Sequence, residues 1–421
     1  MSTRGRRIRR GLGLALAGLV LVVLVGSLIL RVTGQVRLER AIERFEARHG
    51  SIDVLAQGHR SNPPKIPSDE NAAAWFRAGA SAIVWSKSDE TLVGASDWIS
   101  LADLQPDELQ QLQQVLDEQA AARSLFHRGA GCTRSNWQIP YKKGVSADIP
   151  DLLEIMWGAR LLRLEASLAL LDGRHEDALD SIRTMMALSR STRDEDSLIV
   201  GLIGVAIQRT SWELAAELVS DASTDLETLE SARDLAQGQD ARARMHAQIR
   251  YDAGAMVGLK VPDEPGFSFF DDLLGPIVLA HWHAGYLDAV SEILARTEQP
   301  AGTWEPPARE VEQGGGMGLP HPSELAKTYI FAMPRAQLID AQELLVMTAL
   351  ELRLTAAGGQ AYPDAVDPHP DPLTGKALVY ERLDGEGARL SLAPGAREAI
   401  RGKLIPIVAE NALLAIELPK P

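Results

Sequence analysis

One cysteine, Cys132, in 421 residues excludes an intramolecular disulfide framework. It leaves intermolecular pairing, a free thiol or an inert buried group. Aromatic residues make up only 5% of the chain, and with Ala and Leu abundant this composition suits packed helices better than a β-sandwich. Signatures of common catalytic sites are also missing: there is no G-x-S-x-G, H-E-x-x-H, Walker A or G-x-G-x-x-G. "LTGKA" carries Gly375-Lys376 but neither the upstream Gly nor the following Ser or Thr of a phosphate loop. Beyond the start, acidic residues outnumber basic ones. The formal net charge is −14 even though Arg4, Arg6, Arg7, Arg9 and Arg10 stand in the first ten residues. So acidic a body repels phosphate backbones, which argues against nucleic acid as a partner.

What is present begins with "GLGLALAGLVLVVLVGSLIL", residues 11–30, without a charge. At ~1.5 Å per residue it matches a bilayer core of about 30 Å. The run is longer than a signal-peptide core, no small-x-small cleavage site follows before Arg31, and no nearby cysteine offers a lipidation site. Residues 11–32 therefore read as an uncleaved single-pass anchor. The flanking arginines place residues 1–10 in the cytoplasm and the body outside it, in the bacterial inner membrane. The lipid bilayer is the first expected partner.

The body reads as mainly α. A stalk and Pro-broken loop (33–67) lead to a helical domain (68–298), with a helix capped by Ser68 and carrying Trp75, Gly79, Ala82 and Ile83 on one side. Residues 101–127 predict one amphipathic helix. Residues 149–171 and 178–188 predict a helical hairpin, with Gly173 at the left-handed position between them. "SLIVGLIGVAI" (197–207) is too short before Gln208 and Arg209 for a second span and reads as a core helix. Thr224 to Glu227 reads as a capping box. Further helices are expected at 240–257 and 271–296. A Pro/Gly-rich linker or loop (299–322) and a long helix (323–359) follow. The tail (360–421) is a β-hairpin module: residues 377–383 and 388–392 alternate across "DGEG", and 410–418 offers a third strand.

Candidate chemistry is thin. His281 and His283 in "AHWHAG" would grip one transition metal on a strand, but on a helix they point about 200° apart. His127 stands five residues before Cys132, and Asp271-Asp272 reads as a helix cap. No catalytic residue or cofactor follows from these residues.

Three resemblances add to this. The hairpin with "G-R-x-E-x-A" at its turn resembles one tetratricopeptide-repeat unit. Tyr362, Pro363, Asp371, Pro372, Gly375 and Tyr380 resemble the C-terminal module of type II secretion pseudopilins. That likeness implies a calcium loop, which here would draw on Asp364, Asp367 and Asp371; the residues by themselves read as a solvated Asp/Pro turn. The anchor, "E-N-A-A" (70–73), "G-R-x-E-x-A-L" (173–179) and the Pro-Gly-Lys tail together resemble a broad group of uncharacterised bacterial membrane-anchored helical proteins. The expected function is an extracytoplasmic envelope scaffold that binds a protein partner; the alternative is an envelope hydrolase with its site assembled from distant residues.

Overall fold

The computed structural model describes residues 3–52, 65–96, 101–141, 149, 152–236, 240–258, 269–304, 322–383, 387–401 and 412–420. The chain is mainly helical and carries one small antiparallel sheet. Packing divides it into two units that cut across its linear order. One comprises Met1–Gln57, Ala253–Ala295 and Ala308–Tyr329; the other comprises Gly58–Asp252, Arg296–Pro307 and Ile330–Pro421. The expected helical domain, 68–298, thus contributes to both.

In the first unit α1 (Thr3–His49) is one unbroken helix. Its lower half buries a stripe of Gly34, Ala41, Phe45 and His49, spaced about two turns and then one turn apart, as a packed helix requires. Opposite lies α11 (Phe269–Thr297). Gly34 meets the His281 ring, Arg44 bonds Asp288 at 2.7 Å, and His49 bonds Ser291 at 3.0 Å. Partner numbers rise together, so the two helices run parallel. Higher on α1, Val22, Val23, Val25, Leu28, Ile29, Leu30 and Val32 are between 45% and 69% exposed.

The second unit opens with α2 (Ala72–Ala82). Its cap is Asn71 rather than Ser68: the Asn71 side chain accepts from Ala73 N–H at 3.3 Å and from Asn136 N–H at 2.9 Å, and donates to Asn136 C=O at 3.0 Å. A short amide can satisfy the helix end and a distant loop at once, which a serine cannot. The buried face of α2 is Ala72, Ala73, Phe76, Gly79 and Ala80. Trp75 lies beside that face, its indole donating to Asp69 C=O.

After α3 (Lys87–Ser96), the single helix expected over 101–127 is instead two, α4 (Pro106–Glu118) and α5 (Ala120–Ala130). The break falls at Gln119, whose buried amide pairs with both backbone groups of Val84.

The hairpin forms as expected, from α6 (Leu152–Leu171) and α7 (His175–Arg193), with Gly173 at φ +69° between them. It continues into α8 (Leu198–Ser220). Among the described residues α8 is the helix long and apolar enough to cross a membrane, yet 61% of that stretch is buried inside the structure. Next come α9 (Leu226–Ala232), capped by Asp225 rather than Thr224, and α10 (Ala241–Val257). α12 (Pro322–Ala357) runs through Pro334 in one piece.

The tail then builds β1 (Val379–Arg382), β2 (Ala388–Ser391), the short α13 (Ala396–Ile400) and β3 (Ala415–Leu418). The strand order is β1-β2-β3, all antiparallel, so the third strand suggested by residues 410–418 is present.

Phe76 and Phe126 stack at 6.0 Å and are both fully buried. Three glycines admit them: a Cβ at Gly79 would stand 2.9 Å from the Phe126 ring, one at Gly129 2.6 Å from Phe76, and one at Gly158 2.0 Å from Phe126. Gly158→Ala should therefore cost about 2 kcal/mol in denaturant unfolding, the usual scale of overpacking. Adding Phe126→Leu to the same chain should recover part of that loss. An unchanged midpoint in the single variant would show that α5 and α6 are not so closely opposed.

Candidate functional site

In the second unit a cleft of about 820 Å³ opens between α6, α8 and β3. Its apolar lining includes Met156, Leu170, Ile207, Leu214 and Ile416, and Leu171 stands 46% exposed within it. Helical spacing places its charges. Arg160 and Arg163 come from α6, while Arg209, Glu213 and Glu217 stand at successive turns of α8. Arg160 stacks over Trp157 at 4.4 Å, and Arg209 pairs with Glu213 at 3.6 Å. Glu217 is open to the cleft. Desolvation by the surrounding walls raises its carboxyl above the ordinary range; Arg163 opposes this and Glu213 adds to it. Mixed apolar and paired polar walls of this size suit the binding of a ligand or chain segment.

Two other clusters resemble catalytic relays. Thr184 Oγ1 lies 2.8 Å from His127 Nδ1, and His127 Nε2 lies 3.0 Å from Glu165, which Arg123 also bonds. Burial alone would raise Glu165; the bonds from His127 and Arg123 outweigh it and hold the carboxyl below its usual range. Thr184 is only 2% exposed, and its hydroxyl also reaches Asp180 C=O at 2.9 Å. A nucleophile needs access to its substrate, so this chain of groups acts as a staple across α5, α6 and α7. In the second cluster Asp221 and Ser223 both approach the same nitrogen, Nε2 of His175, at 3.0 and 3.5 Å. A relay needs both ring nitrogens.

The residues singled out in the sequence scatter. His281 faces Gly34 of α1. His283 is 3% exposed and bonds the Met256 backbone, and burial lowers its pKa to about 4. Asp364 bonds Arg382 at 2.8 Å, whereas Asp371 is fully buried and accepts from Leu373 N–H and Thr374 Oγ1, both at 2.7 Å, within its own turn. Asp367 is exposed. Among the described residues no group of three or more His, Cys, Asp or Glu is placed to hold a metal. Cys132 has carbonyls of Asp69 and Arg128 near its sulfur, and burial, then Asp69, pushes its thiol up. His127 is committed to Thr184 and Glu165. The side chains of Asp271 and Asp272 lie outside the described residues.

Sequence reading missed the cleft's charges. Their signal was there: Arg209, Glu213 and Glu217 recur every four residues on a helix otherwise apolar enough to cross a membrane. No family model, curated protein or solved structure matches the chain.

Inside the same unit α12 carries two half-buried acids, Asp340 and Glu343. Burial, with Asp240 adding, raises Asp340 to about 7; burial, with Asp340 adding, raises Glu343 to about 8. In the unfolded chain both titrate near 4. Each therefore contributes stability below pH ~4 that is lost as pH rises through its folded value. Thermal unfolding should fall between pH 6 and pH 8.5, and Asp340→Asn with Glu343→Gln should flatten that dependence. A slope unchanged in the double variant would place the titration elsewhere.

Proposed function

We propose that this is a single-pass bacterial envelope protein, anchored through residues 11–32, whose extracytoplasmic helical body binds a protein partner and performs no chemistry. The open cleft between α6, α8 and β3 carries the binding reading. It presents apolar surface among charges, as recognition requires, and the hydroxyl–imidazole–carboxylate chain nearest to a catalytic relay has its hydroxyl buried. The apolar side chains exposed from Val22 to Val32 support the anchor, as does the arginine cluster before it. The helical hairpin of α6 and α7 supplies the kind of paired-helix surface that tetratricopeptide-like scaffolds use.

The single cysteine makes the topology testable on the full chain. In spheroplasts at pH 8, a membrane-impermeant maleimide should label Cys132 before lysis and yield no further labelling after it. Labelling that requires lysis would put the body in the cytoplasm. Affinity recovery of the full-length protein from gently solubilised native membranes should bring down one envelope protein in stoichiometric amount. Recovery of the chain alone, after cross-linking as well, would overturn the scaffold.

A further inference from the structure

The cleft has a strand for one wall, and the register of that strand determines what it offers. β2 pairs with β3 as Leu390↔Ile416 and Ala388↔Leu418, and Leu392 N–H bonds Leu414 C=O at 2.9 Å. In an antiparallel ladder the hydrogen-bonded residues alternate. Leu414, Ile416 and Leu418 therefore turn their backbone groups toward β2, while Leu413, Ala415 and Glu417 turn theirs away. The other flank agrees: Leu383 N–H bonds Gly387 C=O at 2.9 Å, which assigns Arg389 and Ser391 to β1. β3 is the sheet's edge, and its outward residues Leu413, Ala415 and Glu417 are the ones that line the cleft, together with Ile416. Among the described residues no strand pairs with the outer side of β3, and a strand edge facing helix walls is a template for strand addition.

Charge narrows the occupant. Arg209 is matched by Glu213, and Arg160 lies on Trp157. Arg163 partly offsets Glu217, but Glu217 also stands one turn beyond Glu213, a like-charge spacing that disfavours both. The lining sets the carboxylates of Glu213, Glu217, Asp221 and Glu417 against only the guanidiniums of Arg160, Arg163 and Arg209. Glu417 lines the same cleft with its side chain 70% exposed and Arg389 only at 4.0 Å. A cation brought in by the ligand would relieve this.

We propose that an extended peptide segment of a partner protein adds to β3 as a fourth strand and sets a Lys or Arg side chain against Glu217 and Glu417. Its alternate apolar residues enter the cleft beside Met156, Ile207 and Leu214. The inference rests on the binding reading above and names the ligand class of that cleft.

The test pans the detergent-solubilised full chain against displayed random 12-residue peptides. Recovered peptides should share a basic residue within an alternating, β-prone pattern. In synthetic form, replacing that residue by Glu, or methylating alternate backbone nitrogens, should weaken binding at least tenfold. On the protein, Ala415→Pro removes an outward N–H that no ladder bond uses, so the fold should survive, with unfolding unchanged, while peptide affinity falls at least tenfold. Glu217→Gln should weaken basic peptides about fivefold. Cleft-directed peptides indifferent to Ala415→Pro and to N-methylation would overturn strand addition while leaving the binding reading in place. Failure to enrich any peptide would overturn the inference, and the membrane recovery experiment would then decide the scaffold separately. A concentration-dependent dimer dissociated by Ala415→Pro would assign the edge to a second copy of the chain and likewise overturn the peptide.

Discussion

Helices that end inside a protein leave carbonyls that no further turn can satisfy, and the second unit is organised around that constraint. The C-terminal end of α7 is buried, and its acceptors are met from far along the chain. Gln248 donates to the carbonyls of Arg193 and Glu195 at 2.8 and 2.9 Å, and the Trp137 indole donates to Ser191 C=O at 2.9 Å. Tyr141 bonds the Glu195 carboxylate, and its hydroxyl accepts from Asp196 N–H at 3.0 Å. The same device recurs. Arg353 donates to Val219 and Asp221 carbonyls at the end of α8, placing a cation where the helix dipole favours one. Gln337 donates to Thr297 and Gln299 at the end of α11. Each such bond stabilises by about 1 kcal/mol, but an orphaned buried carbonyl costs 1–3 kcal/mol. The capping side chains are thus required more than they are rewarded.

Glycine makes room for these caps. A Cβ at Gly201 would fall 2.0 Å from the Gln248 amide, and one at Gly204 would stand 2.8 Å from Ser189 C=O. Close approach of α7 and α8 also needs small polar residues that satisfy themselves. Ser181 and Thr192 return their hydroxyls to carbonyls of their own helix, and Ser189 donates across to Gly204 C=O at 2.7 Å. With α7 covered on almost every side, α6 and α8 keep their charged faces for the cleft. The tail supplies the third wall because it is docked on the segment after α11 and tied together within itself. Gly302 N–H bonds Leu373 C=O at 2.7 Å, and Tyr362 reaches Pro419 C=O at 2.9 Å, just past β3. That docking is the structural reason for the Pro-rich turn and sheet at the end of a helical chain.

Periodicity made the helices legible because burial of one face leaves a 3.6-residue trace. It found the α6–α7 hairpin, the turn at Gly173 and the tail's strands. It failed where a side chain served a distant backbone. Gln119 reads as an ordinary exposed helix former, yet it breaks α4 from α5 by pairing with Val84. Asn71 reads as part of a motif, and only the loop at Asn136 shows why Asn stands there. The packing units were illegible for a related reason: α1 finds its neighbour more than 200 residues away in α11, and no local pattern encodes that.

The candidate site escaped by a different route. A search for chemistry looks for histidines, thiols and acid clusters, and those residues prove to be spent on structure: His127 on Thr184 and Glu165, Asp371 on its own turn, His283 in a core. The cleft uses residues usually dismissed as helix surface. On a solvent-facing helix a stripe of Arg209, Glu213 and Glu217 would carry no information, because charges are expected there. On α8 it does, because the rest of the helix is apolar and mostly buried, so these charges, half-buried at Arg209 and Glu213 and exposed at Glu217, mark the strip that faces the cleft. A charged stripe on an otherwise core-like helix thus marks where the core stops and the cleft begins. The strand edge across the cleft is the same kind of exception, a sheet edge that no described strand pairs, set beside a hydrophobic wall.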